Sequence, residues 1–330
     1  MFWKNPHRSD VAHDPTETAL LRSAECPWLR RRLSLAVALL MVAGTLVGFG
    51  PINPGSMSPA GLAMGGVGVA SGASTTALYT NPAGLAAHRA HNFEFGFSRD
   101  RGFKRSSFFV QSADGQAPGF VQGGSSFAYE SGTLPDGRTR TGYDVRGRLA
   151  FAGSSDVAQM MIGLTTRYMD IDYGKSATIA KRSITGWTGD LGMTVAFTGN
   201  LRLGFVWRNV LALDPVEAPE RLAGGIAVVL SGVIVAVDGS WGVDTPGTTY
   251  RAGAAVNIGE SFQLRGGYIY SELGTFDAAA TGPAHWASGG FGFRFGRYSV
   301  DAALALDVAR PAEMQLTVAL NFYMPKLRGR

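Results

Sequence analysis

The chain has 330 residues, of which only 17% are charged while glycine alone takes 45 positions, a make-up at odds with the charged surface of a soluble enzyme. A formal net charge of +5 raises nucleic-acid binding. The basic residues cluster instead at Arg30-Arg31-Arg32 and in the last five positions (Lys326, Arg328, Arg330), so the body between has no basic stripe that could follow phosphates.

In chain order, the first element is an apolar run from Leu33 to Phe49, directly after the three arginines. A positive region, a short apolar stretch and small residues beyond it have the form of a secretory signal. The run falls short of the roughly 20 apolar residues that a membrane-crossing helix needs. The competing assignment is an uncleaved inner-membrane anchor. Residues 1–50 are therefore read as leader and signal, with cleavage expected between Gly44 and Ala60. Cys26, the single cysteine, precedes the apolar run. That placement excludes lipid attachment after the signal, a disulfide framework and a cysteine metal site.

Residues 51–90 form the next segment, with room for short helical pieces between Ala60 and Ala87. From His91 the pattern changes to alternation. In Tyr298 to Asp307, Val300, Ala302, Leu304 and Leu306 share one face, and Ser299, Asp301, Ala303, Ala305 and Asp307 share the other. Successive strand side chains point to opposite faces, so this is a strand with one apolar and one small or polar face. Met314 to Phe322, Leu201 to Trp207 and Phe262 to Tyr270 repeat the pattern. On a template of about ten residues per strand, about fourteen strands are expected, starting near His91, Arg105, Phe120, Thr139, Met160, Ile184, Leu201, Arg221, Val233, Thr249, Phe262, Trp286, Tyr298 and Met314. Leu230 to Val233 and Gly296-Arg297 read as tight turns. Ser112 to Pro118, Gly132 to Arg138, Gly174 to Ser183, Leu211 to Pro219 and Ser271 to His285 read as longer loops. A basic tail, 326–330, follows the barrel region 91–325.

A soluble sandwich also alternates. Three features favour an all-β transmembrane antiparallel barrel. The non-apolar face is mostly Gly, Ala, Ser and Thr; Trp207, Trp241, Tyr250, Tyr268, Tyr270, Trp286, Phe322 and Tyr323 gather toward strand ends, as interfacial girdles do; and a signal precedes it all. Open sheet edges do not persist in lipid, so the strands must close on themselves. The expected location is the bacterial outer membrane, with lipid as the surrounding partner.

Residues 61–87 read GLAMGGVGVASGASTTALYTNPAGLAA. The boxes Met64-Gly65-Gly66 and Asn81-Pro82-Ala83-Gly84-Leu85 resemble the N-terminal segment of the FadL-like outer-membrane transporter superfamily. Arg208-Asn209-Val210-Leu211, Pro219 to Gly224 and Leu264 to Tyr268 look more like its PorV/PorQ-like branch. The resemblance implies a 14-stranded barrel with the N-terminal segment folded into the lumen as a hatch. It also implies that a kink in the third strand, here near Pro118-Gly119 and Gly123-Gly124, opens a lateral exit; ordinary loop chemistry explains the same residues.

Gly65-Gly66-Val67-Gly68 is not a nucleotide loop, because no βαβ unit surrounds it. Glycines there suit close backbone packing in a narrow lumen. Asn81-Pro82 reads as a turn or as the tip of the hatch. Arg202, Arg208, Arg221, Arg251 and Arg265 all fall opposite the apolar face, with Asp190, Asp238 and Asp301. They form either a rigidifying lumenal ion-pair network or, where one arginine is unpaired, a receptor for a ligand carboxylate. His88, His91 and His285 offer no metal pair, and no serine sits in a nucleophile elbow. No catalysis, cofactor, metal or nucleic acid is expected. The function expected first is passive uptake of hydrophobic small molecules such as fatty acids. The alternatives are a PorV-like surface scaffold that binds secreted proteins, or a sealed structural barrel.

Overall fold

The computed structural model describes residues 58–324 except 88–89, 101–103, 116–120, 134–136, 176–181, 198–199, 212, 215–216, 244–246, 273–282 and 312. The leader and signal, the basic tail and Pro118-Gly119 lie outside the described residues. The N-terminal segment contains two short helices, α1 (Pro59–Ala63) and α2 (Ser74–Ala77), and a 3-10 turn (Pro82–Ala87). Proline at the start of α1 costs nothing, since the first helical N–H has no partner to lose.

Strands then follow without a further helix among the described residues. They are β1 (His91–Asp100), β2 (Arg105–Asp114), β3 (Val121–Thr133), β4 (Thr139–Ser154) and β5 (Ala158–Tyr173). Next come β6 (Arg182–Phe197), β7 (Leu201–Arg208), β8 (Arg221–Leu230), β9 (Val233–Gly242) and β10 (Thr248–Ile258). The last four are β11 (Phe262–Ser271), β12 (Ala284–Phe295), β13 (Tyr298–Asp307) and β14 (Met314–Met324). Each pairs antiparallel with its chain neighbours, and β1 pairs with β14 from His91↔Met324 to Asp100↔Gln315, closing the barrel. Closure removes every free edge, which hydrocarbon would not tolerate. Strand starts lie within two residues of the positions given by alternation.

The apolar face points outward, as alternation requires. Phe95, Phe97, Leu149, Ile162, Leu203, Leu304 and Leu320 are all exposed, while the adjoining Glu94, Ala150, Met161, Ala303 and Ala319 are buried. Rings collect at two levels. Tyr143, Tyr168 and Trp187 adjoin one another at one end, as do Tyr250, Tyr270 and His285. Phe293, Phe295, Tyr298 and Phe322 form a chain at the other. Two aromatic girdles bounding an apolar band are how a barrel meets both interfaces of a bilayer. Two expected girdle members face inward instead. Trp286 packs with Leu62, Ala63 and Ile269, and Tyr323 lines the lumen. Ring type alone does not report which face a strand residue takes; its register does.

Three further differences have physical causes. The strands β4, β5 and β6 run to 16 residues, beyond the ten-residue template. Their outer ends carry outward polar groups, where Tyr143 and Thr185 hydroxyls both donate to Asp170 at 3.0 Å. The sheet there continues past the lipid, so a template counting apolar positions stops early. The β2–β3 connection lies at the same end as the tight turns, not with the long loops, because strand parity puts it there. Finally, β3 keeps unbroken register with β2 and β4 across Gly123-Gly124, so those glycines make no bulge. Gly124 instead makes room for Leu78 of the N-terminal segment.

Ser231-Gly232 and Gly296-Arg297 are two-residue turns, with Gly232 at φ 79° and Gly296 at φ 62°. Positive φ is what hairpin turns of this length demand. In bacterial barrels short turns face the periplasm and long loops the exterior. The two ends are called the turn end and the loop end below.

Candidate functional site

The lumen is occupied by residues 58–87. Glycines on the inward face of the wall admit them: a Cβ on Gly163, Gly192, Gly204, Gly253 or Gly267 would overlap Ala83, Asn81, Val69 or Met64. In return, a Cβ on Gly65 would lie 2.6 Å from the Tyr268 amide nitrogen, and Gly65 and Gly66 both sit at positive φ. The Met64-Gly65-Gly66 box is thus a backbone that touches backbone. Apolar seats hold the ends of the segment. Leu62 and Ala63 lie among Ile269, Trp286, Ala303 and Ala305, while Leu78, Ala83 and Leu85 lie among Ala113, Ala150 and Met161.

A few polar contacts fix its position. The amides of Gly68 and Val69 donate to Asp238 Oδ2 at 2.7 and 2.9 Å. Asn81 is wholly buried; its Nδ2 donates to Val69 O at 2.7 Å, Met193 O at 3.1 Å and Thr194 Oγ1 at 3.2 Å, and its Oδ1 accepts from the Ala83 amide. This side chain ties the segment to itself and to β6, which a simple turn would not do. Asn92 donates to Ser74 Oγ, and Thr75 donates to Glu94.

All five arginines singled out by alternation point inward, but they do not form one group. Arg265 is ion-paired to Asp301 and also bonds Gln263. Arg202 is half-buried near the turn end. Arg208, Arg221 and Arg251 come together at mid-lumen. Arg208 donates to Thr80 O at 2.9 Å; Arg221 reaches Ser240, Gly247 and Thr249. Arg251 stands beside Asp238 in register, yet among the described residues its buried Nη1 has no hydrogen-bond partner. The facing wall adds Arg146, Arg148 and Arg167. Arg146 and Arg167 share Asp144, and Arg146 and Arg148 lie over the Tyr79 ring at 4.8 and 5.8 Å. Six guanidiniums therefore face three carboxylates, Asp144, Asp190 and Asp238, at mid-lumen. The arginines of β4 were legible in principle: Arg140, Asp144, Arg146 and Arg148 alternate with Tyr143, Val145 and Leu149.

Toward the loop end, the segment between β7 and β8 folds inward. Asn209, at φ 50°, starts it; its amide donates to Asp190, its Nδ2 to Pro219 O at 2.8 Å, and its Oδ1 accepts from Arg167. Leu213 and Ala218 pack on Met169, Ile171, Tyr173 and Ile184. Glu217 is buried and accepts two bonds from Arg140, at 3.0 and 2.8 Å, and one from the Tyr173 hydroxyl. Burial alone would raise its carboxyl, but Arg140 and these hydrogen bonds hold it below the usual carboxylate range. Arg140 also pairs with Glu130 at 2.6 Å, and Arg182 with Asp214. Alternation could not find Glu217 or Asn209, because neither lies in a strand.

Sequence comparison matches no family model and no curated protein. Solved structures do match. The chain superposes on the CymD monoaromatic hydrocarbon channel with a TM-score of 0.61 at 14% identity, over 83% of this chain and 98% of that one. The P. putida toluene transporter TodX gives 0.59 at 13%, over 82% and 98%, and a Pseudomonas aeruginosa FadL homologue gives 0.56 at 12%, over 85% and 100%. The chain has the fold of the FadL-type outer-membrane channels. At these identities the likeness is one of architecture, and nothing in it singles out the PorV-type branch. Among the described residues no group of His, Cys, Asp or Glu could hold a metal.

Proposed function

We propose that this barrel carries hydrophobic small molecules passively across the bacterial outer membrane, with residues 58–87 as a displaceable hatch. The supporting observation is how the segment is seated. It fills the lumen through backbone contact on glycine and through a few polar ties, chiefly Asp238 and Asn81, rather than through a continuous strand or a disulfide. Such a plug leaves when those ties are lost, and Met64, Gly65, Gly66, Asn81, Pro82, Ala83 and Gly84 are the residues that define it. The shared fold with hydrocarbon channels supports the same reading. Within it, Arg251 is the arginine best placed to receive a ligand carboxylate: a buried Nη1 that bonds nothing among the described residues is costly, and an arriving anion relieves that cost. Arg208 and Arg221 flank it; Arg202 lies lower, and Arg265 is already paired.

The test is uptake of radiolabelled toluene and dodecanoate by cells that express the barrel, against cells with empty vector. Faster entry of either compound is expected. Equal entry of both, with the folded barrel present in the outer membrane, contradicts transport and leaves the scaffold for secreted proteins as the reading to pursue.

A further inference from the structure

A cavity of about 500 Å³ opens at the turn end, between the N-terminal segment and the wall. It is separate from the mid-lumen arginines, on the other side of the segment. Its chemistry is divided. The inner wall is apolar where Met64 and Val67 of the segment face Ile234 and Ala255. The rim carries Arg294, Arg297 and Tyr323.

The charges on its wall are unequally matched. Asp301 is fully engaged: one oxygen holds Arg265, and the other accepts from Ser299 Oγ at 3.2 Å and Asn321 Nδ2 at 2.8 Å. Glu94 is buried on the floor against Thr75. Among the described residues Arg294 has only a long bond to Gly296 O, at 3.4 Å, and the Tyr323 ring beneath it at 4.9 Å. No carboxylate of the described residues pairs with Arg294 or Arg297. Two cations without a counterion among the described residues stand over an apolar recess whose floor holds an acid. An anionic head is therefore repelled from the floor and held at the rim, while an alkyl chain is accepted inside.

We infer that this cavity is a binding site for a single-chain amphiphile with an acid headgroup, its head on Arg294 and Arg297 and its tail against Met64, Val67 and Ile234. A planar guanidinium suits carboxylate and phosphate alike. The inference rests on the proposed function only in direction: a molecule that has passed the hatch would pause here head-first before leaving.

The probe is dodecanoic acid with a diazirine at its tail end, and the matching diazirine alcohol as control. Each is photolysed with the barrel in nanodiscs of zwitterionic lipid, and the labelled peptides are mapped by mass spectrometry. The acid is expected to label Met64, Val67 or Ile234 at least fivefold more than the alcohol. The Arg294→Gln/Arg297→Gln pair, on an exposed turn and its flank, should remove that excess while heat-modified gel mobility stays unchanged. Unlabelled dodecanoate should compete. Equal labelling by acid and alcohol, or an excess that survives the double substitution, overturns the site. Competition by phosphatidylglycerol but not by dodecanoate overturns the free acid as occupant and assigns the rim to membrane lipid. Binding without uptake would leave this site standing and remove the transport reading; uptake without binding would do the reverse.

Discussion

At the loop end of the lumen Arg140 meets Glu130 and Glu217, Arg182 meets Asp214, and the segment between β7 and β8 is drawn inward onto Met169, Ile171 and Ile184. At mid-lumen, Arg208, Arg221 and Arg251 surround one carboxylate, Asp238, whose Oδ2 is already used by Gly68 and Val69. Both regions are inward, buried and arginine-rich. In the first, cations and acids are matched and fix a loop. In the second, cations outnumber acids, and among the described residues Arg251 Nη1 has no hydrogen-bond partner. An arginine in a barrel interior is thus a structural element or a receptor according to its counterions, and sequence alternation, which places both kinds on the same face, cannot separate them.

The largest expected effect is on the matched side. Glu217→Ala takes two charged hydrogen bonds from the buried Arg140 and leaves it Glu130 alone, each such bond being worth about 1.5–3 kcal/mol. The folded barrel should unfold at lower urea concentration, and the β7–β8 segment should become open to protease from outside the cell. Resistance equal to wild type would show that the loop is held by Leu213 and Ala218 alone.

Arg251→Gln should do the opposite. Three arginines share the one carboxylate of Asp238, so removing one should leave stability little changed, while entry of dodecanoate falls about tenfold, the scale of about 1.4 kcal/mol of lost binding. Entry of toluene should not change; equal loss of both would mean that Arg251 shapes the lumen rather than reads charge. Arg265→Gln sharpens the contrast, since its pairing with Asp301 predicts loss of stability without a change in acid preference.

A smaller effect is expected from Asp238→Asn. It weakens the two amide bonds that hold Gly68 and Val69, each charge-assisted bond being worth about 1.5–3 kcal/mol. A more mobile segment should raise toluene entry a few-fold. Smallest is the effect of acid. The Glu217 carboxyl lies below its ordinary range, so its pairing is fully present above the unfolded-state value and is lost as pH falls through the folded one. Protease sensitivity of the β7–β8 segment should appear only below the ordinary carboxylate range, and the Glu217→Gln variant should show it at neutral pH.

Much of the barrel was legible because its rule is local. Alternation in Tyr298–Asp307 or Met314–Met324 depends only on period two and on which side lipid lies, so strand number, facing and starts follow from it. Strand ends were harder. The outer ends of β4 to β6 leave the lipid, and polar pairs such as Tyr143–Asp170 replace the apolar signal. The candidate arginines were found by facing, yet how each is engaged depends on partners from other strands: Asp301 pairs with Arg265, while Arg251 beside Asp238 keeps an Nη1 that bonds nothing among the described residues. Glu217 and Asn209 gave no periodic signal, since a loop folded inward is set by tertiary contact. The resemblance located the glycine boxes, but their partners, Gly163, Gly253 and Gly267, sit far along the chain and become visible only once the wall is closed.

The central claim is that residues 58–87 must move for a ligand to pass. It is tested most directly by tethering them to the wall. The Ser288 hydroxyl donates to Ala63 O at 3.2 Å, so Ala63→Cys with Ser288→Cys places two thiols close together across α1 and β12, where oxidation can join them. Toluene uptake by the oxidised pair should fall to the level of cells without the barrel and return on reduction, with each single substitution behaving as wild type. Undiminished uptake through a barrel shown to be fully crosslinked would contradict the account.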